Sequence, residues 1–164
     1  MEQDKVFRII FLCTDNVGRS IIAEYCTRDY LIKHNISNIA VSSAGTNASS
    51  DTTGFSMAHF PEMLRFGIDA SGYTRTQFTK EMIDKSDLIV CMSRNHQDWL
   101  KKNFDFEAPL YNEIACLEAR SIEVSTPGED TDLDKRMTEI TDYIYESTPQ
   151  FVHNIKKMVE IKNG

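Results

Sequence analysis

Residues Val6–Cys13 (VFRIIFLC) are apolar for one strand's length, then give way to the polar turn Thr14-Asp15-Asn16, and a helical pattern opens only a few residues later. A run this short and this rich in Ile, Phe and Leu has no room for a helix before the turn, so it reads as a buried strand. From Ser20 to His34, Ile21, Ile22, Tyr25, Tyr30 and Leu31 recur at helical spacing. The same alternation continues along the chain. A second strand is expected at Ile39–Ser43, a helix at Ser56–Arg65 stopped near Gly67, and a short helix after Thr79, its N-cap. Asp87–Met92 reads as a third buried strand, Ser93–Asn103 as the helix after it, and Pro109–Tyr111 as a fourth strand. Val124–Asp132 is a polar, acidic loop, and Leu133–Lys162 is helical, with Ser147 and Pro149 expected to divide it in two. Strands separated by helices imply an α/β fold, here a flavodoxin-like three-layer arrangement with a four-stranded parallel sheet flanked by helices. Residues 1–164 are expected to form a single domain of ordinary size. In such sheets ligands bind beyond the carboxyl ends of strands, which is where Cys13 falls.

Charge and composition narrow the function classes. A formal net charge of −7 argues against nucleic acid or an anionic membrane as the main partner, though not against one local basic pocket. No apolar run approaches the roughly 20 residues of a membrane span. The early apolar stretch is broken by Arg8 and followed by Thr14, Asp15 and Asn16 instead of a small-residue cleavage site. A secretory leader is therefore not expected, and a cytoplasmic location with reduced thiols is. Cys13, Cys26, Cys91 and Cys116 form neither a CxxC pair nor a zinc pattern, and His34, His59, His96 and His153 are scattered, so no metal or other cofactor is expected. Trp99 with Leu100 reads as a helix face on the sheet, and Cys91 as packing.

The segment Cys13-Thr14-Asp15-Asn16-Val17-Gly18-Arg19-Ser20 carries the chemistry. A loop of this length can turn its backbone N–H groups toward one centre as a nest for an oxyanion, and the following helix adds its positive end. Arg19 offers a planar fork to two phosphate oxygens. The same positive field favours the thiolate of Cys13, and Ser20 can donate a hydrogen bond to it. Nucleophile, anion cradle and charge stabiliser thus come from one stretch of chain.

FLCTDNVGRSIIAEY at Phe11–Tyr25, VSSAGT at Val41–Thr46 and FGIDASGYTRTQFTKEMIDKSDLIVCMSRNH at Phe66–His96 together resemble the low-molecular-weight protein tyrosine phosphatases, and a bacterial-type member in particular. The resemblance implies a phosphomonoester hydrolase acting through phosphocysteine. Cys13 would be the nucleophile, Arg19 would hold the equatorial oxygens, and Thr14, Asp15, Asn16, Val17, Gly18 and Ser20 would bind the phosphate, with Ser43 buttressing the loop. The partner it implies is a phosphorylated protein or a small phosphomonoester; oligomeric state is left open.

Several positions depart from that pattern. Asp15 stands where the family usually has Gly; Asp can take the left-handed backbone such a position may require, and its carboxylate is expected to point outward, away from a phosphate. Gly18 replaces a frequent second cysteine, and Ile21 a common proline. In the late loop the family's Asp-Pro, whose Asp is the general acid, is matched by Thr126-Pro127. A threonine hydroxyl cannot serve as that acid near neutral pH, which implies a slow enzyme. Glu129, Asp130 and Asp132 follow, with Asp130 the candidate substitute; the simpler alternative is a solvated acidic loop before a helix N-terminus. Aromatic walls for a phosphotyrosine ring are reduced to Phe55 or Tyr73. Two other readings stay open: a non-enzymatic phosphate-binding module, and an arsenate reductase, for which the relay cysteines are poorly placed.

Overall fold

The structure, a computed structural model, describes residues 5–125 and 132–163. Three parallel strands, β1 (Phe7–Cys13), β2 (Ile39–Gly45) and β3 (Leu88–Cys91), form a sheet in the order β2-β1-β3. The helices are α1 (Arg19–Lys33), α2 (His59–Arg65), α3 (Lys80–Lys85), α4 (Arg94–Phe104), α5 (Tyr111–Cys116) and α6 (Leu133–Asn163). The central strand β1 is buried at every position but Phe7's neighbour Arg8, as its apolar run requires.

The pleat sends alternate residues of β1 to opposite faces. Ile9, Phe11 and Cys13 join the larger core with α1, α2, α5 and α6, where Phe11 meets Phe151 at 5.5 Å and Tyr111 stacks on Phe151 at 4.8 Å. Ile10 and Leu12 face the smaller core, built with Phe78, Leu100, Trp99 and Phe104 from α4 and its surroundings. These are the three layers expected. Each fully buried Phe or Leu contributes about 1.5–3 kcal/mol, so the two cores anchor β1 from both sides and fix the height at which Cys13 emerges.

Two expectations need correction. The fourth strand at Pro109–Tyr111 shrinks to a single bridge, Cys91 with Leu110. Pro109 has no N–H to give, and the Leu110 N–H turns to the Glu113 carboxylate at 3.1 Å, opening α5 at Tyr111 instead of extending a ladder. The division of the last helix is absent too: α6 runs through Pro149. Thr148 donates its hydroxyl to the Ile144 carbonyl at 2.6 Å, and residues before and after the proline (Ile140, Ile144, Phe151, Ile155) are buried along one face. Tertiary burial of that face outweighs the missing hydrogen bond.

Register places the site. Cys13 pairs with Gly45, and Leu12 with Cys91, so the carboxyl ends of all three strands meet at one edge. At Gly45 a Cβ would lie 2.6 Å from the Thr14 carbonyl oxygen; only glycine lets β2 pass this close to the loop after Cys13.

Candidate active site

From Cys13 to Arg19 the chain turns around a single centre, and the reason lies in where its carbonyls go. The carbonyls of Cys13 and Thr14 accept from the N–H groups of Thr46 and Asn47 at 3.0 and 2.8 Å, beyond β2. That of Asp15 accepts from Arg75 Nε at 3.0 Å, that of Val17 from His59 Nε2 at 2.8 Å, and that of Gly18 from Ile22 N–H at 2.9 Å. With these carbonyls drawn outward, the following N–H groups point inward, which is the geometry of an anion nest. Gly18 stands at the N-cap of α1, whose positive end adds to it.

The thiol of Cys13 lies inside this ring. Its Sγ is 3.3 Å from the Asn16 N–H, which donates to it, and 2.9 Å from Ser20 Oγ. Asn16 is the residue that takes the left-handed backbone, at φ 56°, and Asp15 does not; Gly in the family's place is thus no backbone requirement here. Asn16 repays its conformation with three side-chain bonds: Nδ2 donates to Ser20 Oγ at 2.8 Å and to Ser43 Oγ at 2.9 Å, and Oδ1 accepts from Thr76 N–H at 2.7 Å. Ser43 in turn donates to Glu24 at 2.5 Å, and Glu24 is paired with Arg28.

Arg19, 11% exposed, donates through Nη1 to the Ile122 carbonyl at 2.8 Å and to Ser93 Oγ at 3.3 Å, with Glu123 at 3.8 Å. Cys13, Asp15, Val17, Gly18 and Arg19 line one cavity of about 420 Å³ with Phe55, Leu133 and Met137 as its apolar wall. Phe55 is 39% exposed at its mouth, whereas Tyr73 packs on Phe60 at 5.1 Å against the core, so Phe55 is the aromatic side chain on offer. Gly18 leaves room for Met137, whose Cε would be 3.1 Å from a Cβ there. Asp15 is among the residues that line the cavity, and its carboxylate is turned to Ser50, whose Oγ donates to it at 2.5 Å.

Thr126, Glu129 and Asp130 lie outside the described residues. Asp132 is exposed and accepts from the N–H of Lys135 at 3.1 Å, as an acid opening a helix does. Among the described residues that line the cavity, Cys13 is the only cysteine. Cys26 and Cys91 are buried thiols pushed up to about 12 by desolvation, and Cys116 lies on α5 against the Tyr143 hydroxyl at 3.7 Å. A thiol relay of the arsenate-reductase kind has no second member there. No group of three or more metal-ligating side chains occurs among the described residues.

The sequence matches the family described as low molecular weight phosphotyrosine protein phosphatase over residues 8–161. The chain belongs to this family. It is therefore a phosphatase-type hydrolase, and its substrates are phosphorylated. A comparison with curated protein sequences returns no match. Solved structures similar to this low-molecular-weight phosphatase include a YwlE mutant from Bacillus subtilis, 21% identical with a TM-score of 0.75 over 92% of this chain and 99% of that one. A low molecular weight protein tyrosine phosphatase from T. tengcongensis is 21% identical, TM-score 0.72, over 90% and 98%. Another from Bacillus subtilis is 24% identical, TM-score 0.73, over 92% and 98%. At these identities the likeness is one of fold. No helix among the described residues is long and apolar enough to cross a membrane.

Two histidines brace the phosphatase loop, and nothing local in the sequence marked either. His59 from α2 holds the Val17 carbonyl. His96 accepts from the Ser93 N–H through Nδ1 at 3.1 Å, so its proton sits on Nε2 and is donated to Thr14 Oγ1 at 3.0 Å. Both are fully buried. Burial pushes His59 down to about 4; burial and then the charge of Arg19 push His96 down to about 3. Unfolded, each titrates near 6.5. The unfolded chain therefore binds more protons between those values, and this contribution to stability is present above pH about 6.5 and lost as pH falls toward 4 and 3. Asp142, held up at about 6 by its hydrogen bond with Glu62 and by burial, acts with the opposite sign in the same window. The histidine effect is thus read by comparing variants. The loss of urea stability from pH 7 to pH 5 should shrink by about 2 kcal/mol in His96→Gln. An unchanged loss would refute the neutral, buried imidazole.

Proposed function

We propose that this phosphatase hydrolyses phosphotyrosine through a covalent phosphocysteine. The thiolate of Cys13 attacks phosphorus, the S–P bond forms as the P–O bond to the phenol breaks, and the phenol oxygen leaves with its electron pair. Water then attacks the phosphocysteine, releasing inorganic phosphate and restoring the thiolate. The observation that supports this reading is that Sγ lies within reach of the Asn16 N–H and the Ser20 hydroxyl, beside Arg19, in a loop whose carbonyls are bonded outward. Donors aimed at a phosphoryl group's oxygens act on the charge that spreads over them in the transition state. Phe55, Leu133 and Met137 offer an apolar wall of the kind an aryl ring needs and an alkyl phosphate does not.

Departure of the leaving group, in the first step, is the weak point. Thr126 stands where the family carries its general acid, so the leaving oxygen is protonated by Asp130 or by water, and turnover is slow. General acid–base catalysis is worth about 10²–10⁴-fold. The rate should accordingly fall steeply as the leaving group becomes more basic, from p-nitrophenyl phosphate to phenyl phosphate. Asp130→Asn then separates the two proton sources. A further fall of about 10²-fold, confined to the basic leaving group, assigns Asp130; no change assigns water. A shallow leaving-group dependence that survives Asp130→Asn would overturn the account of a missing acid.

A further inference from the structure

Helix α2 has only seven residues, too few to hold its own place, yet it carries the imidazole that holds the Val17 carbonyl at 2.8 Å. Its position is set by α6. Just before α2, Ser56 Oγ accepts from the Ala58 N–H at 3.2 Å and donates to Asp134, on the first turn of α6, at 2.6 Å. One turn beyond His59, Glu62 is buried and meets Asp142, about two turns along α6 from Asp134. Two carboxyl groups therefore face each other between the helices. Asp142 Oδ1 is buried with no donor among the described residues, while Glu62 Oε1 accepts from Arg65 at 2.6 Å. Two facing carboxyls form a hydrogen bond when one carries a proton and repel when neither does.

We infer that Asp142 is a positioning residue: by hydrogen-bonding Glu62 it holds α2 on α6, and so keeps His59 in reach of the phosphate-binding loop. The inference rests on the phosphatase reading above. The bond to Glu62, then burial, raise Asp142 to about 6, and the same bond lowers Glu62; the proton is therefore on Asp142, whose O–H donates. The charged groups that face Asp142 are Glu62 and Arg65 from α2 and Glu146, one turn on along α6. On the α1 side, Asp29 and Lys33 share a cavity with Glu146 and pair with each other at 2.9 Å. One arginine, its side chain 73% exposed, thus stands against three carboxyl groups. The bond is complete below pH about 6; above it Asp142 loses its proton, repulsion replaces the bond, and the hold on α2 weakens. His59, down at about 4, stays neutral as this happens.

The test compares kcat/KM for p-nitrophenyl phosphate, as a function of pH, between the wild type and Asp142→Asn, whose amide can donate to Glu62 at every pH. Taking the ratio of variant to wild type cancels the ionisation of the substrate and of Cys13. That ratio should be near unity at pH 5 and rise to about fivefold or more at pH 8. Glu62→Gln, which donates to the Asp142 carboxylate from the other side, should give the same rise if the first variant folds poorly. In a His59→Leu background, which removes the donor to Val17, adding Asp142→Asn should give a ratio that is flat with pH. A flat ratio in both single variants would overturn the inference and leave the phosphatase reading standing, as would a rise that persists without His59. Absence of any turnover, with no phosphate trapped on Cys13, would overturn both.

Discussion

Cys13→Ser is expected to lower kcat for p-nitrophenyl phosphate by about 10⁴-fold or more, the scale on which loss of a nucleophile is felt in covalent catalysis. The serine hydroxyl would sit among the same donors, from Asn16 N–H and Ser20, but it stays protonated where a thiol can ionise. Inorganic phosphate should still bind, because the nest is built from backbone N–H groups oriented by Thr46, Asn47, Arg75 and His59, none of which the substitution touches. Steady-state kinetics and calorimetric phosphate titration separate the two effects. A loss of only a few-fold in kcat would remove Cys13 from the chemistry. Loss of phosphate binding together with activity would mean that the thiol, and not the backbone, organises the loop.

Arg19→Lys is the second large effect, expected at about 10²–10³-fold in kcat with a smaller change in KM. Arg19 does two things at once: Nη1 holds the Ile122 carbonyl and Ser93 Oγ, while the rest of the fork remains beside the cavity. A lysine ammonium is a single point charge and cannot keep both engagements. Ile122 also gives its N–H to the Met92 carbonyl, so the segment that leads into Val124 and Ser125 is tied both to β3's end and to Arg19. The lysine variant should therefore lose transition-state charge stabilisation and the tether of that segment together. Equal kinetics for arginine and lysine would show that one positive charge suffices and that fork geometry is irrelevant.

How much of this was legible in the sequence follows from the range of each interaction. The strand, the cysteine, the arginine and the helix start are contiguous, and local pattern was enough to place them: β1 begins at Phe7 instead of Val6, and α1 at Arg19 instead of Ser20. What braces the loop is distant. His59 meets Val17 across 42 positions, Arg75 meets Asp15 across 60, and His96 meets Thr14 across 82. No periodicity or spacing rule connects such pairs, and the histidines read as scattered because each acts alone. Glu24 and Arg28 were hidden differently: on an isolated helix they are an ordinary i,i+4 ion pair, and only the approach of Ser43 makes Glu24 part of the site. The two fold corrections share one cause. Both fall at prolines: Glu113 captures the N–H of Leu110 just after Pro109, and burial on both sides carries α6 through Pro149.

The proposed chemistry has Cys13 take the phosphoryl group onto its sulfur. Rapid acid quench of the protein during turnover of an aryl phosphate, followed by peptide mass spectrometry under conditions that preserve S–P bonds, addresses it directly. Phosphate is expected on the Cys13 peptide, formed in a burst with the released phenol, and none in Cys13→Ala. Steady hydrolysis by the wild-type protein with no phosphoryl group on Cys13 at any time point, or with turnover intact in Cys13→Ala, would contradict it.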